Sequence, residues 1–319
     1  MTHRAYLIRR LLAIPPMLVG ISLVLFLSIN LAPGGPETFF VSEDMNLEIA
    51  AQVRERLGLN QPLHVRYLRW LSRVAVGDLG YSLTGGGLTV STLVLERLSA
   101  TLLLTGVSLV LAVSLAVLFG VISAVRQYSL LDKAVTVLAY FGMSFPTFWL
   151  GIMLILIFSV TLGWLPASGM SEYGLEHDLA SRVSHLVLPV LALSAVDVGT
   201  FVRFVRASML EVLRQDYVRT ARAKGLVERA IVYRHALRNA LIPTVTVVGL
   251  AARSLVAGAV FVETIFAWPG LGRLAVLSVY RRDYPVVMGV NIAVAVFVVV
   301  ANLVVDLLYT LLDPRITYE

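Results

Sequence analysis

Uncharged apolar runs long enough to cross a bilayer constrain this chain more than any other feature. A helix rises about 1.5 Å per residue, so about 20 apolar residues cover a hydrocarbon core. Four runs qualify: Leu11 to Pro36, Leu98 to Val125, Ala134 to Ser171 and Tyr284 to Val305. The third is too long for one crossing, and its end from Leu162 onward is expected as loop. Two further stretches each contain one charge, Val183 to Val202 with Asp197 and Asn239 to Val262 with Arg253. The expectation is an all-α membrane bundle of six transmembrane helices. One such run alone also fits a buried core helix. Six of them fit poorly in a soluble protein, where about 25% of residues are charged; here 14% are. The first run exceeds the apolar core of a signal peptide, and no small-x-small cleavage site follows it, so it reads as a retained span.

Lys and Arg on short loops set orientation. Arg4, Arg9, Arg10, Arg126, Lys133, Arg315 and the loop after span four all fall on one side. The opposite side has Arg182, Arg273, Arg281 and Arg282 on its short loops. Both termini are therefore expected in the cytoplasm. Zero cysteine excludes disulfides and thiolate metal sites.

Residues 1–97 read as an N-terminal span with a long external loop, and 98–319 as a five-span core with a cytoplasmic loop at 203–240. In the external loop Leu57, Leu63, Tyr67, Trp70 and Leu71 alternate with Arg54, Arg66, Arg69 and Arg73, which suggests short amphipathic helices broken at Gly58–Pro62. Gly85, Gly86 and Gly87 read as a joint. The last external loop, Glu263 to Gly272, turns at Pro269–Gly270 and leads into a short apolar helix from Leu274 to Tyr280. Trp268 is either part of the mouth of the bundle or an aromatic anchor at headgroup level.

The net charge of +6 is localised. Arg203 to Arg238 holds nine basic and three acidic residues, and the rest of the chain holds 17 of each. Leu210, Leu213, Tyr217 and Ala221 recur at helical spacing, Gly225 breaks the pattern, and a second helix from Val227 to Ala240 leads into span five. A positive loop of this kind can fix topology, attract anionic lipid, or dock a cytoplasmic partner. Composition leaves the last two open.

The segment Asp216-Tyr-Val-Arg-Thr-Ala-Arg-Ala-Lys-Gly-Leu226, followed by His235-Ala-Leu-Arg-Asn-Ala-Leu-Ile-Pro243, resembles the cytoplasmic signature of ABC importer permeases of the dipeptide/oligopeptide/nickel branch. Leu7 to Leu12, Ala32 to Pro36, Gly77 to Ser82, Ser144 to Trp149, Gly163 to Gly169, Glu263 to Gly272 and Leu311 to Arg315 are similar to the family in the same order. The resemblance implies a multi-pass permease of a bacterial or archaeal cytoplasmic membrane. It also implies a similar second permease, two cytoplasmic ATPase subunits that hold ATP and Mg, and an external substrate-binding protein. A coupling helix would insert into the ATPase. Asp216, Tyr217, Arg219, Thr220, Ala221, Arg222, Lys224 and Gly225 are the residues that carry this over. The family-wide pattern is Glu-Ala-Ala, three residues, then Gly. Here Arg219, Thr220 and Ala221 stand at its first three positions, so its acidic contact does not transfer. Ala221 and Ala223 would permit close approach, and Arg219, Arg222 and Lys224 would meet acidic groups. The implied substrates are di- or oligopeptides, with nickel complexes, glutathione-like compounds and glycosides as alternatives.

No cofactor is expected in this chain. The only lysines, Lys133 and Lys224, lie outside any glycine-rich phosphate loop, and the five histidines lack zinc-ligand spacing. There is no nucleophile elbow, so the chain is not expected to be an enzyme. Nucleic acid is not an expected partner; the lipid bilayer is. A self-contained channel or secondary transporter would call for internal repeats, and spans two and five share none. Asp197 and Arg253 fall near mid-depth on antiparallel spans. They are either a self-neutralising pair that locks two helices or a polar point on the translocation path. Gly249, Ser254, Ala257 and Gly258 suit close helix packing in span five.

Overall fold

The computed structural model describes the backbone of residues 3–31 and 60–312, and the side chains of 10–31, 60–251 and 258–305. Among these, all regular elements are helical apart from one bridge between Tyr81 and Thr89. The helices are α1 (His3–Leu31), α2 (Leu63–Ala75), α3 (Val90–Val125), α4 (Leu130–Ser144) and α5 (Thr147–Leu154, continued as a π turn over Ile155–Thr161). Then come α6 (Leu179–Leu213), α7 (Asp216–Ala223), α8 (Glu228–Ala230, with a π turn Ile231–Ala236), α9 (Leu237–Ile265), α10 (Leu271–Tyr280) and α11 (Tyr284–Leu312). Segments Arg10–Leu31, Val90–Val125, Leu179–Leu213 and Tyr284–Val305 are each long and apolar enough to cross a membrane. The fifth expected span, Asn239 to Val262, falls in α9.

The third expected span is not straight. Helices α4 and α5 meet at 105°. Pro146 lacks the N–H that would continue α4, and its ring forces Phe145 into an extended conformation, φ −98 and ψ 137. The loop expected from Leu162 begins where the π turn ends, at Thr161. The second span begins earlier than its uncharged run does, at Val90, and carries Glu96 and Arg97 within the helix.

The chain divides into two units, Met1–Ser99 with Arg273–Val300 and Ala100–Gly272 with Ala301–Thr317. In the first unit the amphipathic α2 buries Tyr67 with Phe26 and Met288. The Tyr67 hydroxyl donates to the Val19 carbonyl at 3.1 Å and shares a 2.9 Å hydrogen bond with Ser22. The three glycines are not a loose joint. Gly86 and Gly87 take φ +61 and +89, which close a tight loop bridged by Tyr81 and Thr89.

That loop grips Asp283. Its carboxylate, 1% exposed, accepts from Ser82 Oγ at 2.5 Å, Thr84 Oγ1 at 2.9 Å, and the backbone N–H groups of Leu83 and Thr84. Burial alone would raise this carboxyl; the donated bonds outweigh it and hold it below the ordinary 3.8. A depressed carboxyl stabilises the fold above its unfolded value, and the contribution fades as pH falls through the lowered one. Asp283→Ala should loosen the loop by about 1–3 kcal/mol, read as faster hydrogen exchange at Leu83 and Thr84. In the unaltered chain these amides should stay protected at pH 5 and lose protection only below the ordinary aspartate range.

The second unit packs tightly at small residues. Phe201, Val202, Val205 and Met209 of α6 are buried against Ala112, Ala116 and Ala124 of α3, Ala139 of α4, and Val232, Ala236 and Ala240 of α8–α9. A Cβ on Gly142 would lie 2.9 Å from the Ala195 carbonyl, and one on Gly199 would collide with the Ala139 carbonyl. Glycines on facing helices thus let α4 and α6 touch backbone to backbone. Trp268 is fully buried in this unit and donates to the Ala100 carbonyl at 2.9 Å. Its surroundings are protein, which removes the headgroup-anchor reading.

Candidate functional site

The basic loop is a chain of short, separately held elements. The helix expected along Leu210, Leu213, Tyr217 and Ala221 is interrupted, although no glycine or proline intervenes. Helix α6 stops at Leu213, Gln215 is extended at φ −69 and ψ 150, and α7 restarts at Asp216. An acidic residue in that first turn suits the helix dipole. Burial accounts for the break, because it swings Val218 and Ala221 onto Ile231 and Leu213. Eight residues are too few for a stable isolated helix, so this packing holds α7.

The end of α7 is a Schellman motif. Gly225 sits at φ +76, its N–H donates to the Arg222 carbonyl at 2.9 Å, and Leu226 N–H donates to the Ala221 carbonyl at 3.3 Å. The outward face is polar. Asp216, Tyr217, Arg219, Thr220, Arg222, Lys224 and Gly225 are all exposed. Ala221 is the exception, 8% exposed and turned into its own unit. It is not available for close approach by a partner, whereas Ala223 is exposed. Tyr217 also leaves the predicted apolar stripe, being 43% exposed, and its hydroxyl accepts from Asn239 Nδ2 at 2.9 Å.

Two of the three basic groups on this face are already engaged. Arg222 Nη2 lies 2.6 Å from Glu228 Oε1, and Arg219 Nη1 lies 3.3 Å from Asp216 Oδ1. Hydrogen bonds from Arg222 hold the Glu228 carboxyl below its ordinary range. The pairs are exposed and add little stability. They fix the shape of the face and spread its charge. Thr220 Oγ1 donates to the Asp216 carbonyl at 2.9 Å, inside α7. Among the described residues no group of acids and histidines is arranged to hold a metal.

Asp197 is half-buried on α6, with no hydrogen bond or ion pair to a described residue. The side chain of Arg253 lies outside the described residues, as do those of Ser254 and Ala257.

Sequence reasoning passed over two buried polar clusters. In one, Asp132 of α4 is 3% exposed and faces Arg206 of α6, with Nε 2.8 Å from Oδ1 and Nη2 2.8 Å from Oδ2. Ser123 of α3 hydrogen-bonds the same carboxylate. Ser129 caps α4, its Oγ accepting from the Asp132 N–H at 3.2 Å, and a Ser three residues before an acid is the one local signal that pointed to this turn. Nothing in the sequence singled out Arg206 among the nine basic residues of this stretch. In the other cluster, fully buried Glu263 accepts from Thr101 Oγ1 at 2.6 Å.

A family profile described as "binding-protein-dependent transport system inner membrane component" matches residues 116–318, and the profile for the N-terminal part of such components matches residues 3–105. The chain belongs to this family. An oligopeptide transport system permease protein from Bacillus subtilis (strain 168) is 45% identical over 98% of this chain and 99% of its own length. A glutathione transport system permease protein from Salmonella paratyphi A (strain ATCC 9150 / SARB42) is 40% identical, again over 98% of this chain and 99% of its own. Among solved structures, a chain of the MetNI methionine ABC transporter, in an inward-facing form, superposes with TM-score 0.55. It covers 69% of this chain and 96% of its own at 20% identity, a likeness of fold. The protein is thus a multi-pass membrane permease subunit of an ABC importer, a transport component rather than an enzyme.

Proposed function

We propose that this permease moves di- and oligopeptides across a bacterial cytoplasmic membrane, together with a homologous second permease, two ATPase subunits and an external binding protein. The six crossings include α9 and the bent α4–α5 pair, and both termini face the cytoplasm. Helix α7 is the coupling helix. Asp216, Tyr217, Arg219, Thr220, Arg222, Lys224 and Gly225 form its ATPase-facing surface, and Ala221 anchors it from behind. ATP and Mg act in the partner subunits. Asp197 and Arg253 are the candidates for a charged point within the bundle.

The observation that carries this reading is α7 itself. An eight-residue polar-faced helix is held by its own apolar side between two long helices, at the residues that resemble the coupling signature. Such a helix presents a fixed knob, and exposed groups already paired within the loop cost little to dock. The substrate class is supported by the near-full-length similarity to an oligopeptide permease.

The test is reconstitution of the permease pair, the ATPases and the binding protein in liposomes, with uptake of a labelled tripeptide and of glutathione measured in parallel. ATP-dependent tripeptide uptake is expected, with glutathione weaker. Glutathione uptake exceeding that of every peptide would overturn the peptide assignment. Uptake by the permease alone would overturn the coupled mechanism.

A further inference from the structure

We infer that the Asp132–Arg206 pair is the register lock through which movement of α7 reaches α3 and α4, making both residues positioning residues for transport. This rests on the reading of α7 as the coupling helix.

The cluster joins three helices and one turn. The Asp132 carboxylate takes two parallel bonds from the Arg206 guanidinium, one from Ser123 of α3, and one from the Tyr128 N–H at 2.9 Å. Arg206 Nε also reaches Ser123 Oγ at 3.2 Å. Tyr128, at φ 65, sits in the strained turn between α3 and α4, so the same carboxylate braces that turn. Arg206 lies about two helical turns before α6 ends and the chain enters α7.

Apolar packing alone would not fix how these helices slide. The α6 face here is buried against alanines of α3 and α4, and Gly120 leaves its own space to Val205, where a Cβ would lie 2.7 Å away. Small smooth side chains tolerate the sliding of packed helices that domain motions use. A forked guanidinium–carboxylate pair does not, because both bonds hold only at one register. Buried ion pairs are poor stabilisers compared with apolar residues of the same volume, and setting register is their best-attested use. From the other end, Val218 and Ala221 of α7 pack on Leu213 and Ile231, and Val232 packs with Met209 and Val205. An α7 displaced by an ATPase therefore carries the end of α6 with it, and the lock makes α3 and α4 follow.

The experiment uses the full complex in liposomes and reads ATP hydrolysed per peptide transported, with the thermal midpoint of the assembled complex. Asp132→Leu/Arg206→Met replaces the pair by apolar side chains and should still assemble, with a midpoint lowered by the loss of the Ser123 and Tyr128 bonds to the carboxylate. Its ATP per peptide should rise at least about fivefold, the low end of allosteric coupling. Arg206→Lys keeps the charge, loses the fork, and should fall between. Wild-type coupling in the double variant would overturn the lock. If the double variant does not assemble, Arg206→Lys decides: a raised ratio supports the lock and an unchanged one overturns it. Ala223→Trp, on the exposed outward face of α7, separates the premises in the same preparation. If coupling survives there, the reading of α7 fails; if it is lost there but kept in both lock variants, only the lock fails.

Discussion

Gly272→Ala is expected to destabilise the permease by roughly 1–3 kcal/mol and to reduce the intact subunit recovered from membranes. Gly272 stands in the first turn of α10, where a Cβ would lie 2.6 Å from the Val260 Cα and 2.8 Å from its Cγ2. The first is backbone in the middle of a long helix and has no rotamer to yield. One turn along α9, Glu263 blocks the alternative, because a Cβ on Gly270 would collide with its carboxylate. Thr101 joins these pieces. Its hydroxyl donates to Glu263 and accepts from the Leu271 N–H at 2.8 Å. Thr101→Val keeps the volume and removes both bonds, at about 1–3 kcal/mol per buried group left short of a partner. Thr101→Ser should retain most of the stability. Thermal unfolding of the detergent-purified subunit, followed through tryptophan fluorescence, reads all three. A wild-type midpoint for Gly272→Ala would show that α9 and α10 are not held at this contact.

What could be read in advance follows from the range of each signal. Four of the spans were legible because their cause is local: about twenty apolar residues make a helix long enough to cross a membrane wherever they occur. The Pro146 bend is equally local in cause, but the over-long run reads as one span ending in loop from Leu162, which does not foresee the bend. The break after Leu213 was not legible. Leu210 to Ala223 has good helix formers throughout, and the interruption exists because Ile231, beyond Gly225, offers Val218 and Ala221 a surface. For the same reason the stripe drawn through Tyr217 and Ala221 paired an exposed residue with a buried one. Asp132 and Arg206 were visible only as loop charges, because their pairing spans 74 positions. Trp268 looked like a headgroup anchor because its partner, the Ala100 carbonyl, is 168 positions away. Local chemistry found the long apolar helices and the glycine that ends α7; the polar contacts that fix helix positions are long-range.

Replacing an exposed residue of α7 should separate ATP hydrolysis from transport, and replacing a buried one should not do so cleanly. Ala223→Trp places a large side chain on the outward face without touching the core under α7. Peptide uptake should fall at least about tenfold, the loss of one good contact, while membrane insertion and the ATPases' own hydrolysis persist. Ala221→Trp faces Leu213 and Ile231 and should instead detach α7 from its base, lowering the stability of the whole loop. Gly225 tests shape rather than bulk. A Cβ there meets nothing within 4 Å, so the penalty is the left-handed backbone at φ +76, about 1–2 kcal/mol for most residues. Asn visits that region more readily than β-branched residues do. Gly225→Asn should therefore transport better than Gly225→Val, although Val is similar in size and neither clashes. Equal transport by the two, both at the wild-type level, would mean that the Schellman turn is not what aims α7 at its partner.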